Sequence, residues 1–380
     1  MSWPTHEAAY RRRRARGFTL VELMVSVTIG LIILAAVLQI FATSGAAYNL
    51  EQDLARSQES GRFSLDFISQ DVRMSGNLGC LKKFLTPPGS ASIADADALP
   101  SVRSRLNSGD YGWNFAASPP NQHLRGHTYT GGGGSNLADW SPALPGTING
   151  VTYFTADEVF PNTDVLVVRR ALERSFKLTA AAPTIGAVTI SPLNGLEDGD
   201  IVLLTDCNDG DIFQITGGTP DVDGLVQHFA GGGPPGNAFN NLTKSYGINS
   251  EVMKLVTRVY YVGPGIDGRP TLFRKEIDNG TVVTQPLLDG VEIMRVLYGE
   301  DLDTPSDSVA NEYRLANTVV NWTRVVSVRI GLLTRAEHES ADLNAGTYSL
   351  AGITVDPTPG ADDRHQRQVF NSTIQLRNPL

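Results

Sequence analysis

The apolar residues of the chain follow three successive patterns. An almost unbroken apolar run extends from Phe18 to Phe41, with Glu22 as its single charged residue. Between residues 49 and 74, apolar or small residues instead recur every three or four positions, and polar residues lie between them. Beyond residue 77 the chain consists of short β-branched or aromatic-rich runs bounded by Gly, Asp, Asn or Pro. These patterns predict a membrane-length helix, an amphipathic helix and a series of β-strands, in that order.

The predicted fold class is α+β, with one long N-terminal helix packed on a mainly antiparallel β-sheet body that carries long loops. The helix is expected to end near Gly76, a residue suited to a C-terminal cap. An exposed coiled coil is the alternative for its amphipathic half. The predicted strands are Val151–Thr155, Asp164–Arg170, Ala187–Ser191, Asp200–Thr205, Asp211–Thr216, Lys254–Val262, Thr271–Glu276, Thr281–Leu287, Val291–Gly299, Val325–Thr334 and Gln368–Arg377.

The apolar run Phe18–Phe41 is long enough to span a bilayer, for which about 20 apolar residues suffice. The arginines just before it predict a cytoplasmic N-terminus and export of everything after about residue 45. A cleaved signal peptide, with small residues at 44–47 to supply the cleavage site, and a simple membrane anchor are two interpretations. Neither gives Glu22 a role, although a carboxylate in such a run costs about 2.5–3.5 kcal/mol on insertion scales.

A third interpretation gives Glu22 a function. Residues 16–22, Arg-Gly-Phe-Thr-Leu-Val-Glu, resemble the processing site of type IV prepilins. The resemblance implies that a prepilin peptidase cleaves after Gly17, that the new amine of Phe18 is methylated, and that Glu22 acts in assembly. Cleavage there removes the arginines but retains the helix. Glu22 can then pair with the amine of Phe18 on a neighbouring subunit, which offsets the cost of burying the carboxylate.

The predicted organisation follows from this processing. Residues 1–17 form a basic leader, 18–45 a transmembrane and assembly helix, 46–76 an amphipathic helix, and 77–380 a β-rich pilin domain. Loop excursions rich in glycine are expected at 86–150 and 231–250. The protein would lie in the inner membrane with its N-terminus in the cytoplasm and afterwards in a pilus on the cell surface.

The body is similar to the PilW family of minor pilins. The similar segments are Gln58–Phe63, Asp71–Gly76 with Cys80, Asp206–Thr216, Gly290–Gly299, Trp322–Arg329 and Arg367–Asn378. The resemblance implies a structural subunit that helps to start or assemble a type IV pilus near its tip. Its partners would be major and minor pilins and a tip adhesin. A minor pseudopilin of a type II secretion system and an adhesin-like tip subunit are the alternatives.

Charge and cysteine content restrict the remaining function classes. The net charge is −9 although the leader is basic, so the rest of the chain is acidic and would be repelled by the phosphates of nucleic acids. The two cysteines, Cys80 and Cys207, lack the CxxC spacing of zinc and redox sites. In an exported body they are expected to form a disulfide, with two buried thiols as the alternative.

Candidate chemistry is sparse. The six histidines are scattered and form no catalytic constellation with neighbouring residues, so the protein is not expected to be an enzyme. Asp301, Asp303 and Asp307 lie in one short acidic segment that could supply oxygen ligands to Ca²⁺. The segment lacks the central glycine and the closing glutamate of an EF-hand loop. A solvated acidic turn is therefore the favoured interpretation, and no other cofactor is expected.

Overall fold

The computed structural model describes residues 17–81, 85–86, 101–107, 123–148, 151–233, 235–278, 281–339, 346–357 and 363–377. The chain divides into two compact units, one ending at Gln52 and the other beginning at Asp53. Helix α1, Leu20–Arg73, begins in the first unit and ends in the second. Among the described residues, α1 is the one helix that is long and apolar enough to cross a membrane.

The first unit consists of the beginning of α1 and the residues before it. Its apolar window has no buried residue, and large side chains such as Phe18 and Ile40 are well exposed. Such an apolar surface requires lipid or other helices around it, because each large apolar side chain is worth about 1.5–3 kcal/mol when removed from water. The sequence-predicted membrane-length helix is therefore confirmed.

The second unit contains the rest of α1, whose residues are buried at intervals of three or four. The helix ends before Gly76, which adopts φ 71° and donates its N–H to the carbonyl of Arg169 at 3.0 Å. The predicted amphipathic helix and its glycine end are thus confirmed. Leu50, an apolar residue of the segment 46–76 that was predicted to be amphipathic, is instead 37% exposed because it precedes the packed segment. The buried positions are Asp53, Ser57, Gly61, Ser64, Ile68, Asp71 and Val72.

In the described part of the chain twenty strands follow α1, and each of the eleven predicted strands overlaps one of them. A second, short helix, α2, spans Pro220–Asp223, and 3₁₀ turns span Leu137–Asp139, Ala316–Thr318 and Trp322–Arg324. The strands are β1 Leu85–Thr86, β2 Ser101–Ser104, β3 Leu124–Tyr129, β4 Trp140–Ser141, β5 Thr147–Ile148, β6 Val151–Thr152, β7 Val165–Lys177, β8 Val188–Thr189, β9 Ile201–Thr205, β10 Asp209–Gln214, β11 Leu225–Val226, β12 Glu251–Pro264, β13 Pro270–Asp278, β14 Thr281–Asp289, β15 Val291–Glu300, β16 Glu312–Arg314, β17 Val325–Glu339, β18 Tyr348–Leu350, β19 Ile353–Val355 and β20 His365–Gln375.

Two sheets make up most of the body. The larger has ten strands with the path β1-β2-β10-β9-β12-β7-β3-β4, and β13 and β14 extend it from β12. The smaller has the order β16-β15-β17-β20. Apart from β1-β2 and β2-β10, which are parallel, their strand pairs are antiparallel, as predicted. The interval 86–150 was expected to form loops, and 87–100, 108–122 and 149–150 lie outside the described residues. Its described parts contain β2 and β3 as inner strands, beside β10 and β7, and the short β4 and β5.

The main hydrophobic core joins α1 to both sheets. Ile68 and Val72 of the helix are fully buried. They belong to one cluster with residues of β7, β12, β15, β17 and β20. Gly61 permits close packing, since a Cβ at this position would lie 2.3 Å from the ring of Phe370 on β20. The second half of α1 is therefore an integral core element and not an exposed coiled coil.

Candidate assembly site

The residues of the predicted processing site lie at the start of α1. Gly17, Phe18 and Thr19 are not helical, and a side chain at position 17 would have no neighbour within 4 Å. Thr19 and Glu22 form a capping pair: the Glu22 N–H donates to Thr19 Oγ1 at 3.2 Å, and the Thr19 hydroxyl donates to Glu22 Oε2 at 3.4 Å. This Thr-x-x-Glu arrangement begins the helix two residues after Phe18. The Gly17–Phe18 bond consequently lies outside the helix and is exposed.

Glu22 has local hydrogen bonds but no charged partner among the residues that the structure describes. Its carboxylate contacts are those with the hydroxyl and N–H of Thr19. Within the part of the chain that the structure describes, no cation pairs with it. In an apolar environment, a carboxylate with only local partners retains most of its desolvation cost. The partner that would offset this cost has to come from outside the described residues.

The packed half of α1 is fixed to the larger sheet by a buried ion cluster around Asp71. Its Oδ1 accepts hydrogen bonds from Arg170 Nε at 2.9 Å and Arg258 Nη1 at 2.8 Å, and its Oδ2 accepts one from the Tyr260 hydroxyl at 2.5 Å. The side chain of Asp71 is 3% exposed. Burial and the Asp71 carboxylate both raise the pKa of Tyr260, so the phenol stays protonated and donates.

The beginning of the packed segment is held by β17 of the smaller sheet. Asp53 is buried. Its Oδ2 accepts a hydrogen bond from the backbone N–H of His338 at 3.0 Å and lies 2.9 Å from Nδ1 of the His338 ring. One turn later, the hydroxyls of Ser57 and Thr334 are 2.6 Å apart. Polar contacts therefore bracket the apolar packing of Ile68 and Val72 and fix the position of the helix along both sheets.

A disulfide adds a covalent link just beyond the helix. Cys80 and Cys207 are bonded, with their Cα atoms 5.1 Å apart. Cys80 follows the end of α1, and Cys207 lies in the turn between β9 and β10 with φ 71°. The predicted disulfide is confirmed, and the alternative of two buried thiols is wrong. Disulfides of this kind are typical of proteins that fold outside the cytoplasm.

Comparison with protein-family models gives two matches, one near the N-terminus of the chain and one in its C-terminal third. Residues 12–38 match the prokaryotic N-terminal methylation motif. Residues 259–378 match the PilW family, described as type IV pilus-assembly protein W. The two matches support a type IV pilus-related, pilin-like protein. No curated protein and no solved structure gives a significant match to the chain.

The two matches cover different parts of this pilin-like protein. The methylation motif includes Gly17, Phe18 and Glu22 and extends into the apolar half of α1. The PilW match begins within β12 and includes β13–β17 and β20, so it contains the whole smaller sheet. The motif implies processing by a prepilin peptidase and association with other pilins, and the apolar helix fits a single-pass anchor in the inner membrane.

The acidic segment forms a tight turn. Ligand oxygens of Asp301, Asp303 and Asp307 lie within 4.8 Å of one another, which is close enough to hold one ion. Asp301 is buried and accepts hydrogen bonds from the N–H groups of Asp303 at 3.0 Å and Ser308 at 2.8 Å, and from the hydroxyl of Ser306. The Ser306 hydrogen bond lowers the pKa of Asp301. These bonds account for the turn by themselves, and calcium binding stays a prediction.

Sequence reasoning missed the buried charges. Asp71 falls beside the apolar stripe of α1, next to Val72, and its arginine partners lie in strands that read as ordinary β-runs. A second buried carboxylate, Asp164, pairs with Arg295 at 2.9 Å and joins the two sheets. Burial raises the pKa of Asp164, and the hydrogen bonds from Arg295 and from backbone N–H groups only partly offset this effect. The sequence feature that could have indicated these buried carboxylates is a charged residue inside or next to a run of apolar residues.

Proposed function

We propose that the protein is a minor pilin that takes part in initiating or assembling a type IV pilus, close to its tip. The observation that carries the proposal is the pairing of two contrasting halves in one helix. The half with the methylation motif is apolar and exposed, and its carboxylate, Glu22, has no charged partner within the described part of the chain. The other half is locked into a folded body. An assembly element and a displayed domain are the two parts that a pilus subunit requires.

In this proposal the precursor inserts with its basic leader in the cytoplasm. A prepilin peptidase cleaves between Gly17 and Phe18, where the exposed, non-helical backbone supports access by the enzyme. The amine of Phe18 is methylated and pairs with Glu22 of a neighbouring pilin. The protein then leaves the inner membrane and joins the pilus on the cell surface. We expect no catalytic activity and no nucleic-acid partner.

The alternative of a minor pseudopilin in a type II secretion system shares the leader and the helix. The match of residues 259–378 to a pilus-assembly family favours the pilus. An adhesin-like role at the tip is compatible with a minor pilin and would use the loops of the body. Co-purification distinguishes these functions, since pilins and a tip protein, or secretion components, would accompany the protein.

The decisive experiment is mass spectrometry of the N-terminus of the protein recovered from sheared pili. We expect a chain that begins at methylated Phe18. As a control, Gly17→Val should leave the leader attached, whereas Gly30→Val, beyond the cleavage site on the same helix, should be processed normally. A chain beginning near Ala47 would identify an ordinary signal peptide. Absence of the processed protein from sheared pili, with normal amounts in the membrane, would refute a pilus subunit.

A further inference from the structure

The ends of two neighbouring strands bring together one histidine and two carboxylates. Strand β17 ends at Glu339 and β20 begins at His365, and these two residues are paired in the antiparallel register. Asp363 precedes His365 by two positions, the spacing at which side chains of an extended chain point to the same side. A ligand atom from each of the three residues lies within 4.8 Å of the other two.

The distances are close to those of a metal-binding site. His365 Nδ1 is 2.6 Å from Asp363 Oδ1 and 3.9 Å from Glu339 Oε1. A tetrahedral ion with bonds of about 2.0–2.1 Å holds its ligand atoms about 3.3 Å apart, a value between these two distances. Glu339 has a 61% exposed side chain that can move inward, whereas His365 and Asp363 are 16% and 12% exposed. Binding would require Glu339 to move inward and the hydrogen bond between His365 Nδ1 and Asp363 Oδ1 to lengthen by about 0.7 Å.

A buried arginine orients the Asp363 carboxylate. Arg367, with a side chain only 1% exposed, donates from Nη2 to Asp363 Oδ2 at 2.5 Å. The same guanidinium donates to both oxygens of Glu292, at 2.6 and 3.0 Å. Asp363 Oδ1 is thereby held on the side of His365. This support resembles the outer hydrogen bonds that fix the ligands of known metal sites.

The charges around the cluster leave room for a cation. Glu292, Glu339 and Asp363 face two guanidinium groups, those of Arg367 and Arg335, the latter 3.5 Å from Glu292. Among these five groups the carboxylates outnumber the guanidinium groups by one, so a bound cation would be balanced by a carboxylate.

We propose that Glu339, Asp363 and His365 bind a divalent transition-metal ion of the zinc class. An imidazole with two carboxylates suits such an ion, whereas Ca²⁺ prefers oxygen ligands alone. The fourth position would be open to solvent. The ion would connect the point where the chain leaves the smaller sheet, at Glu339, to the point where it returns, at Asp363. It would thus close the excursion that carries β18 and β19.

The test uses the tag-free, mature, full-length protein in detergent, stripped with EDTA and titrated with Zn²⁺ against a chromophoric chelator. We expect one equivalent to bind. His365→Ala and Glu339→Gln should each weaken binding at least about tenfold, the lower end of the losses caused even by residues that only orient a ligand. His338→Ala is the matched control, because this neighbouring imidazole pairs with Asp53 instead and its loss should leave zinc affinity unchanged.

A second measurement reports on the coordination itself. Co²⁺ bound in place of zinc should give the intense visible absorption of a tetrahedral site with imidazole and carboxylate ligands. Folding of each variant is checked by the intact Cys80–Cys207 disulfide on non-reducing gels. The proposal is overturned if the wild-type protein binds no zinc, or if folded His365→Ala protein binds it as tightly as the wild type. In either case the cluster would be an ion-pair network only.

Discussion

Glu22 and Asp71 are carboxylates on the same helix, and their surroundings differ completely. Asp71 is buried and receives hydrogen bonds from two arginines and a tyrosine of its own chain. Among the described residues the Glu22 carboxylate contacts only Thr19, and it lies in an apolar window without buried residues. One carboxylate is satisfied by folding, and the other can be satisfied only by something outside the described chain.

This contrast shows that α1 has two segments with different roles, one in the folding of the body and one in contacts with the surroundings. The segment from Asp53 onward contributes to the folding of the body, because its buried residues find partners in the sheets. The segment before it contributes nothing to that core and presents its residues to the surroundings. Substitutions in the segment after Asp53 should therefore change the stability of the body. Substitutions in the segment before it should change assembly without changing that stability.

Loss of the disulfide should have the largest effect on the body. The Cys80–Cys207 bond closes a loop with a sequence separation of 127, for which chain-entropy estimates give about 5 kcal/mol as an upper value. We expect Cys80→Ser, Cys207→Ser and the double variant to lose stability equally in urea denaturation. Dithiothreitol should reproduce the loss in the wild type and have no effect on the double variant. Free alkylation of both cysteines in the exported wild type would contradict the bond.

Asp71→Ala should come next. It leaves the buried guanidinium of Arg170 without its carboxylate, and breaking such a pair typically costs about 3–5 kcal/mol. Arg258 loses less, because it keeps Glu276 at 2.9 Å. Asp66→Ala is the matched control on the exposed face of the same helix, where substitutions stay within about 0.5 kcal/mol. Equal denaturation midpoints for the two variants would show that the cluster does not stabilise the body.

Gly61→Ala should have a smaller effect because two contributions oppose each other. Alanine favours a helix over glycine by about 0.5–1 kcal/mol. The added methyl group, however, would meet the ring of Phe370 at 2.3 Å, and overpacking typically costs about 1–3 kcal/mol. We expect a net loss of about 1 kcal/mol in urea denaturation, relieved by Phe370→Leu in the double variant. Gly45→Ala, where nothing lies within 4 Å, should not destabilise, and a stabilised Gly61→Ala variant would contradict the tight packing.

Glu22→Ala should leave the denaturation of the body unchanged. Membrane insertion should also be intact, since the substitution removes a carboxylate that costs about 2.5–3.5 kcal/mol in the apolar run. The expected defect is loss of the protein from sheared pili, measured by immunoblotting against the membrane fraction. Ser26→Ala is the control, because that hydroxyl is already bonded to the Glu22 carbonyl at 2.7 Å. Normal recovery of the Glu22 variant would remove its proposed role in assembly.

Calcium removal should have the smallest effect. The oxygens of Asp301 already accept hydrogen bonds from its own turn, so we expect EGTA to leave the melting temperature of the mature protein unchanged. Asp303→Asn should be equally neutral, although its carboxylate accepts a hydrogen bond from Asn311 at 2.9 Å. A melting temperature that rises with Ca²⁺ in the wild type but not in Asp303→Asn would instead establish the calcium site.

The sequence was most informative where one local pattern decides the structure. The period of α1, its end near Gly76 and the β-branched runs all depend on neighbouring residues, and the structure confirms them. Strand β3 was missed because its sequence, Leu-Arg-Gly-His-Thr-Tyr, contains mostly polar or small residues. It is buried because it lies between β7 and β4, and its His127 ring is 2.8 Å from the carbonyl of Pro142, which follows β4.

The residues of the assembly site could be identified from the sequence, whereas the ion clusters of the body could not. Gly17, Phe18 and Glu22 could be selected from the sequence because the motif is contiguous. The Asp71 cluster and the group of Glu339, Asp363 and His365 depend on strand pairing. Glu339 lies opposite His365 because the β17–β20 ladder shifts its register between Arg335 and Glu339, an irregularity that no local sequence pattern predicts. Chemistry assembled from distant strands therefore becomes visible only in the structure.

The packing of α1 against β20 also sets an order of events during biogenesis. Gly61 lies against Phe370, and the core around Ile68 includes Ile374 and Leu376, which are synthesised nearly the length of the chain later. Contacts of such long sequence separation form slowly, and apolar faces that are still unpaired during this time are prone to aggregation. The amphipathic part of the helix therefore stays partly uncovered until β20, near the end of the chain, has been synthesised. A chain arrested before β20 would expose this face to proteases and chaperones.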